Sequence, residues 1–372
     1  MTTLFDSIQI GGLQLPNRAV LAPMTRVSAE SDGLANELMR DYYTSFAQGE
    51  FGLLITEGTY TDEAFSQGYL NQPGLANEAQ RDSWKPIVEA VHAEGSRMFA
   101  QLMHGGAQTQ GNRFQQRTVG PSTVQPAGKQ LSFYGGEGEY PVPDEMTEDE
   151  IQQVIAGFAH AARHAKDAGF DGVELHGANG YLLHEFISAE FNQRSDRWGG
   201  DIEGRLSLPL AVIEAVRREV GNDFIVGMRL SQGMVTDATL KWDGGVEGAR
   251  TRFITLARAG LDFLHVTEGD ASAPAFEEGG PSLSAIAREC VDIPVIGNGS
   301  IATGEQANRL LEKGEMDMVA IGKAALANHD WPLRVRNDED MTRFNFEMFI
   351  PMATLSNEKA WRQDNQEPSS LN

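Results

Sequence analysis

Cys290 is the one cysteine in a chain of 372 residues. A lone thiol excludes an internal disulfide, a multi-cysteine zinc site and a cysteine-ligated iron–sulfur cluster. Basic residues are scarce: 30 Lys and Arg stand against 53 Asp and Glu, a formal net charge of −23. Such a field repels nucleic-acid phosphate and anionic lipid, so neither nucleic acid nor a membrane is an expected partner. Long apolar runs are missing as well, none nearing the roughly 18 residues that cross a bilayer. The opening MTTLFDSIQIGG lacks the basic and apolar regions of a secretory signal, and the expectation is a cytoplasmic protein. What remains is ordinary for a soluble chain, 41% hydrophobic and 22% charged, enough to bury a sizeable core.

Short apolar or β-branched runs alternate with stretches of helical periodicity. The candidate strands are RAVLAP (18–23), GLLITEG (52–58), RMFAQLMH (97–104), GVELH (172–176), FIVGMRL (224–230), FLHVTEG (263–269), IPVIGNG (293–299) and MVAIGK (318–323). Helical patterns fall near 36–49, 78–94, 148–168, 205–220, 246–259, 281–290, 303–313 and after 323. Thr147 before Glu148 and Glu150 is an N-cap with acidic first-turn residues, and Gly169 and Gly314 sit where helices end. Eight βα units without a break in composition predict an α/β fold, a (β/α)8 TIM barrel forming one domain over 1–372. The surplus over a minimal barrel has places. SIQIGGLQL within 1–17 reads as an N-terminal β-hairpin turning at Gly11-Gly12 and capping the base. Residues 105–147 form a long excursion after the third strand, and about 340–372 a C-terminal tail. A doubly wound open sheet fits less well, because LAPMTR is not the glycine-rich turn such folds place after their first strand.

Barrel chemistry collects at the C-terminal ends of the strands. Those ends carry Pro23-Met24-Thr25, Glu57-Gly58, Gln101 with His104, His176 with Asn179 and Tyr181, Arg229, Thr267-Glu268, Gly297-Asn298-Gly299-Ser300 and Gly322-Lys323. The last two, in VIGNGS and VAIGK, suit a phosphate: glycines let backbone N–H groups approach the oxygens, and Lys323 adds a point charge. No Walker A or GxGxxG pattern accompanies them, which argues against a nucleoside triphosphate. Gln101 offers an amide and Arg229 a guanidinium, and the two together can bracket a flat heterocycle. His160 and His164 have i, i+4 spacing but no third ligand, and Glu174 with His176 and His184 does no better, so no metal is expected.

Several stretches resemble the Old Yellow Enzyme family, FMN-dependent ene-reductases on a (β/α)8 barrel. They are LFDSIQIGGLQLPNRAVLAPMTR (4–26), QLMHGG (101–106), ELHGANGYLLHEFIS (174–188), NQRSDRWGGDIEGR (192–205), VGMRLS (226–231) and ANHDWP (327–332), and the likeness runs over about 4–355. It implies a non-covalent FMN reduced by NADPH or NADH, an activated alkene as small-molecule substrate, and is compatible with a homo-oligomer. By the same resemblance Thr25 meets the flavin's O4/N5 side, with Pro23, Met24 and Gly58 around the ring. Gln101 binds the pyrimidine edge, Arg229 faces N1/O2, and Gly299, Ser300, Gly322 and Lys323 hold the phosphate. His176 and Asn179 bind the substrate's carbonyl or nitro oxygen while hydride passes from flavin N5 to the β-carbon, and Tyr181 protonates the α-carbon.

The chain departs from the family's pattern at several places. Lys323 stands where arginine is usual, Ala107 where an arginine follows QLxHxG, and His329 where a proline follows asparagine. Met103 and Thr25 also replace the tryptophan and cysteine of some members. The competing expectation is a non-flavin, phosphate-binding TIM-barrel aldolase or isomerase, with Glu57 or Glu268 as its base.

Overall fold

The computed structural model describes residues 2–366; Met1 of the predicted hairpin segment and 367–372 of the predicted tail lie outside the described residues. The chain opens with an antiparallel hairpin, β1 (Ile8–Ile10) and β2 (Leu13–Leu15), turning at Gly11 with φ 52°. Next come β3 (Ala19–Leu21), α1 (Glu37–Gln48), β4 (Leu53–Ile55), the short β5 (Thr59–Tyr60), α2 (Glu78–Ala93) and β6 (Arg97–Met103). The excursion after β6 holds two 3-10 turns and a small parallel pair, β7 (Val119–Gly120) with β8 (Asp144–Glu145). Then follow α3 (Glu148–Ala168), β9 (Gly172–Asn179), α4 (Leu182–Ile187), α5 (Ile202–Arg205), α6 (Ser207–Val220), β10 (Ile225–Met234) and α7 (Gly245–Arg258). The chain continues through β11 (Phe263–Thr267), α8 (Leu283–Cys290), β12 (Val295–Asn298), α9 (Gly304–Glu312), β13 (Met318–Ile321), α10 (Lys323–Ala327), α11 (Trp331–Asn337) and α12 (Leu355–Gln366).

Parallel pairing runs β3–β4–β6–β9–β10–β11–β12–β13 and back to β3, which closes the predicted eight-stranded barrel. Local chemistry explains the helix ends. Thr147 and Glu150 make a reciprocal capping box, and Gly169 ends α3 at φ 96°, a conformation that costs glycine nothing. Alternate strand residues point inward, among them Val20, Leu53, Phe99, Phe263, Ile296 and Met318, and they fill the lower barrel. Gly227 has no side chain because a Cβ there would fall 2.1 Å from the Phe263 ring. Ile10 and Leu15 of the hairpin are buried against this layer. Each such side chain contributes roughly 1.5–3 kcal/mol on burial, so the hairpin does cap the base.

Three details differ from the sequence expectation. β9 and β10 run on to Asn179 and Met234, past the predicted 176 and 230. The expected helix near 205–220 is α6, and the short α5 precedes it, ending at Arg205. β5, β7 and β8 had no counterpart, since two residues carry no readable period. On α3, His160 is exposed, and His164 is half-buried with Nδ1 2.7 Å from the Leu75 carbonyl oxygen. Among the described residues no group of three His, Cys, Asp or Glu side chains could hold a metal. No described helix is long and apolar enough to cross a membrane.

Candidate active site

A cavity of about 680 Å³ opens where the strands end. Pro23, Met24, Thr25, Gly58, Gln101, His176, Asn179, Tyr181, Arg229, Gly322 and Lys323 all line it. Gly299 and Ser300 line an adjoining cavity of about 490 Å³, which shares Asn298, Gly322 and Lys323 with the first. Residues separated by up to 300 positions along the chain therefore meet in one continuous hollow. Its outer wall comes from segments that carried no chemical signal: Leu131, Phe133 and Tyr134 of the excursion, and Phe344, Phe346 and Phe349 of the tail.

On one side of the hollow, Arg229 donates from Nη2 to Thr267 Oγ1 (3.2 Å) and to Asn298 Oδ1 (2.8 Å). Asn298 is itself fixed, donating from Nδ2 to the Ala320 carbonyl at 2.8 Å. Burial lowers the pKa of Arg229, partly offset by the Glu174 charge, and its Nε is buried without a partner among the described residues. Gln101 is held by its backbone, donating its N–H to Thr56 Oγ1 (2.9 Å) and accepting from Thr59 Oγ1 (2.7 Å).

The His176-Asn179-Tyr181 turn is built from β9 into α4. Asn179 has φ 62°, a left-handed conformation that asparagine tolerates better than most residues. Three bonds hold its backbone: its N–H donates to Ser231 Oγ (2.9 Å), while its carbonyl accepts from Gln108 Nε2 (2.8 Å) and the Val235 N–H (3.0 Å). His184, set aside as a metal ligand, accepts the Gly180 N–H at Nδ1 (3.0 Å) and props the turn. The apolar stripe Leu182, Leu183, Phe186 and Ile187 is buried and anchors α4. His176 and Tyr181 have ring centroids 4.9 Å apart.

Burial, with Arg229 nearby, holds the His176 pKa well below its ordinary value, so the ring is neutral, and its Nδ1 is buried without a partner among the described residues. Burial pushes the Tyr181 hydroxyl above its ordinary value, and it shares a hydrogen bond with the Tyr69 hydroxyl. Tyr69 was not foreseen. Nor was Tyr134, which lines the hollow with Thr25 and whose hydroxyl burial pushes up to about 12. Both sit in loops, where tyrosines carry no periodic signal.

The phosphate turn shows why glycine is needed. Gly299 has φ 148°, and a Cβ there would fall 2.4 Å from the Glu268 carbonyl oxygen. Ser300 follows at φ 51°, but its hydroxyl donates to the Gly269 carbonyl at 2.6 Å, leaving the backbone and Lys323 for an anion. Neither carboxylate that an aldolase or isomerase would use lines the main cavity, and Glu268 lines only the adjoining one. Glu57 accepts the Arg26 N–H at 2.8 Å and does not line the main cavity. Glu268 accepts the Gln232 N–H at 3.0 Å.

The hollow fits FMN on its own terms: a glycine turn with a cation, an amide, and a guanidinium whose Nε, like His176 Nδ1, has no partner among the described residues. A (β/α)8 barrel with such a hollow defines a flavin-dependent oxidoreductase. The sequence profile of the NADH:flavin oxidoreductase / NADH oxidase family matches residues 3–341. Chanoclavine-I aldehyde reductase of Penicillium roqueforti is 35% identical over 354 residues, covering 91% of this chain and 90% of the relative. 12-Oxophytodienoate reductase 2 of Arabidopsis thaliana is 33% identical over 350 residues, covering 93% and 91%. NADH oxidase of Thermoanaerobacter brockii is 34% identical over 341 residues, but this chain spans 50% of that protein's length. The structure of an Old Yellow Enzyme homologue from Zymomonas mobilis superposes with a TM-score of 0.85 at 32% identity, covering 94% of this chain and 97% of the other. The chain belongs to the NADH:flavin oxidoreductase / NADH oxidase family, the Old Yellow Enzyme group. It is an NAD(P)H-dependent flavin oxidoreductase with FMN as its cofactor.

Proposed function

We propose that the enzyme reduces α,β-unsaturated carbonyl or nitro compounds, with His176 and Asn179 holding the activating oxygen and Tyr181 protonating the α-carbon. The observation that carries this reading is His176 itself: a neutral, buried ring, its Nδ1 unpartnered among the described residues, beside the Tyr181 ring in the hollow. FMN, when bound, supplies the hydride it has received from NAD(P)H. Thr25, Pro23, Met24 and Gly58 would pack around its ring, Gln101 and Arg229 would meet its pyrimidine edge, and Gly299, Ser300, Gly322 and Lys323 would take its phosphate. As the β-carbon gains hydride, negative charge grows on the substrate's oxygen. Two fixed donors aimed there stabilise that charge by about 3–4 kcal/mol each in favourable cases. A neutral histidine suits the task because it donates a hydrogen bond without surrendering its proton. The α-carbon then needs a proton, which Tyr181 still holds at neutral pH.

Removing one donor tests this directly. His176→Ala should slow enone reduction by about 10²-fold, in line with the loss of one oxyanion donor, while FMN content stays near that of the wild type. Unchanged turnover of cyclohexenone would sink the oxygen-binding role. The pKa directions make a second expectation. His176 lies below its ordinary value of about 6.5 and is already neutral at pH 7; Tyr181 lies above its ordinary value of about 10 and keeps its proton. Between about pH 6.5 and 9.5 neither group titrates, so oxidation of pre-reduced enzyme by an enone should vary less than about twofold in stopped-flow traces. A limb of a bell-shaped profile inside that window would contradict Tyr181 as the acid.

A further inference from the structure

Beneath the active-site hollow, the barrel interior holds a polar pair that the proposed reaction does not use. Glu174 and His265 are both fully buried, on β9 and β11, with His265 Nδ1 2.7 Å from Glu174 Oε2. The other carboxylate oxygen, Oε1, accepts from Gln101 Nε2 at 2.8 Å. Gln101 and Glu174 are register partners across β6 and β9, so the contact is set by the strand pairing. Burying a carboxylate in a barrel is costly unless it is hydrogen-bonded and charge-compensated. Here both oxygens have donors, and the buried Arg229, whose strand neighbour in register is His265, supplies a positive charge.

We infer that Glu174 and His265 are positioning residues that set which way round the Gln101 amide stands toward FMN. A carboxylate only accepts hydrogen bonds, so the Gln101 atom facing it must be the NH2 group. That leaves Oε1 and the second N–H for the hollow, an acceptor beside a donor, which matches the N–H and C=O of a flavin's imide edge. His265 meets the carboxylate's other oxygen. If Nδ1–H donates to Glu174, Nε2, buried without a partner among the described residues, is a bare lone pair, and the ring is neutral. A protonated Glu174 would instead donate to Gln101 Oε1, and the amide would turn its NH2 to the cofactor. The inference rests on the flavin reading of the hollow.

The test is a double-mutant cycle in FMN affinity, measured by titrating the apoprotein. Glu174→Gln should weaken FMN binding about tenfold, and Gln101→Met by a similar factor. Because one acts through the other, the double variant should bind no more than about threefold worse than Gln101→Met alone. Multiplying losses, or an unchanged affinity in Glu174→Gln, overturn the inference. The potential of the bound flavin is a readout that a merely structural role leaves still. Loss of the Glu174 charge should favour the reduced, anionic flavin about tenfold, a rise of about 30 mV for a two-electron couple. An unmoved potential counts against the inference. Should Glu174→Gln not fold, His265 decides. His265→Asn keeps an N–H at the place of Nδ1 and should hold FMN within about threefold of wild type, whereas His265→Leu should lose about tenfold. Equal affinities in these two variants overturn the inference. Failure of the flavin reading looks different: wild-type protein itself would bind no FMN.

Discussion

Tyr181→Phe is expected to slow enone turnover by about 10²–10⁴-fold, the range a positioned general acid contributes, while reduction of bound FMN by NAD(P)H stays within about threefold of wild type. The asymmetry follows from where the hydroxyl lies. The ring packs with Val27, Tyr69 and Met103, and phenylalanine keeps that packing. What it loses is the proton at the hydroxyl, which burial holds in place and which no step of flavin reduction needs. The Tyr69 hydroxyl, hydrogen-bonded to that of Tyr181, is then left with one partner fewer. Stopped-flow measurement of the two half-reactions separates the outcomes. Equal losses in both would mean that Tyr181 shapes the hollow and does not deliver the proton.

Glu358→Ala is expected to destabilise the fold by about 3–5 kcal/mol, the cost of stripping one partner from a buried ion pair. Glu358, on α12, is paired with the guanidinium of Arg26, which has no solvent exposure. It also accepts from Arg362 Nε (2.8 Å), and His329 Nε2 lies 2.9 Å away. Arg26 further donates from Nε to the Ala353 carbonyl at 3.2 Å, and Ala353 donates its N–H to the Phe133 carbonyl at 2.8 Å. The cluster thus ties the tail to the residue after Thr25 and to the excursion, two walls of the hollow. Burial pushes the Glu358 carboxyl up, but the His329 hydrogen bond and the Arg26 charge outweigh it and hold the group well below the usual carboxylate range. A depressed carboxyl contributes its stability in full above its unfolded value, about 4.3, and loses it as pH falls further. Urea unfolding should therefore show a large gap between wild type and variant at pH 7 that narrows below about pH 4. A gap under about 1 kcal/mol at pH 7 would remove the cluster as the anchor of α12. The chain's unusual His329 now has a place: its Nδ1 lies 2.7 Å from Ser45 Oγ and its Nε2 faces Glu358, a bridge from α1 to α12 that proline could not make.

Much of the site was legible because βα barrels put their chemistry where strands end, and strand ends are marked by local chemistry. The apolar run into His176, the glycines at 299 and 322 and the cation at 229 are each readable within a few residues. Thr267 and Asn298 were also placed at strand ends, but that they hold the Arg229 guanidinium emerged only from the fold. The Glu174–His265 contact spans 91 positions, and a glutamate on an apolar strand gives no hint of its partner.

By itself, the sequence determined the eight strands and their helices, the hairpin under the barrel and the identity of the residues at the barrel's mouth. Hydrophobic period, cap residues and glycine turns act over distances shorter than a dozen positions. Only the tertiary structure decided that Tyr69 meets Tyr181, that Tyr134 and the tail's phenylalanines close the hollow, and that His176 is buried with a nitrogen unpartnered among the described residues. Those facts depend on which loops pack over the strand ends and how deeply, and that is settled by contacts between segments far apart in the chain.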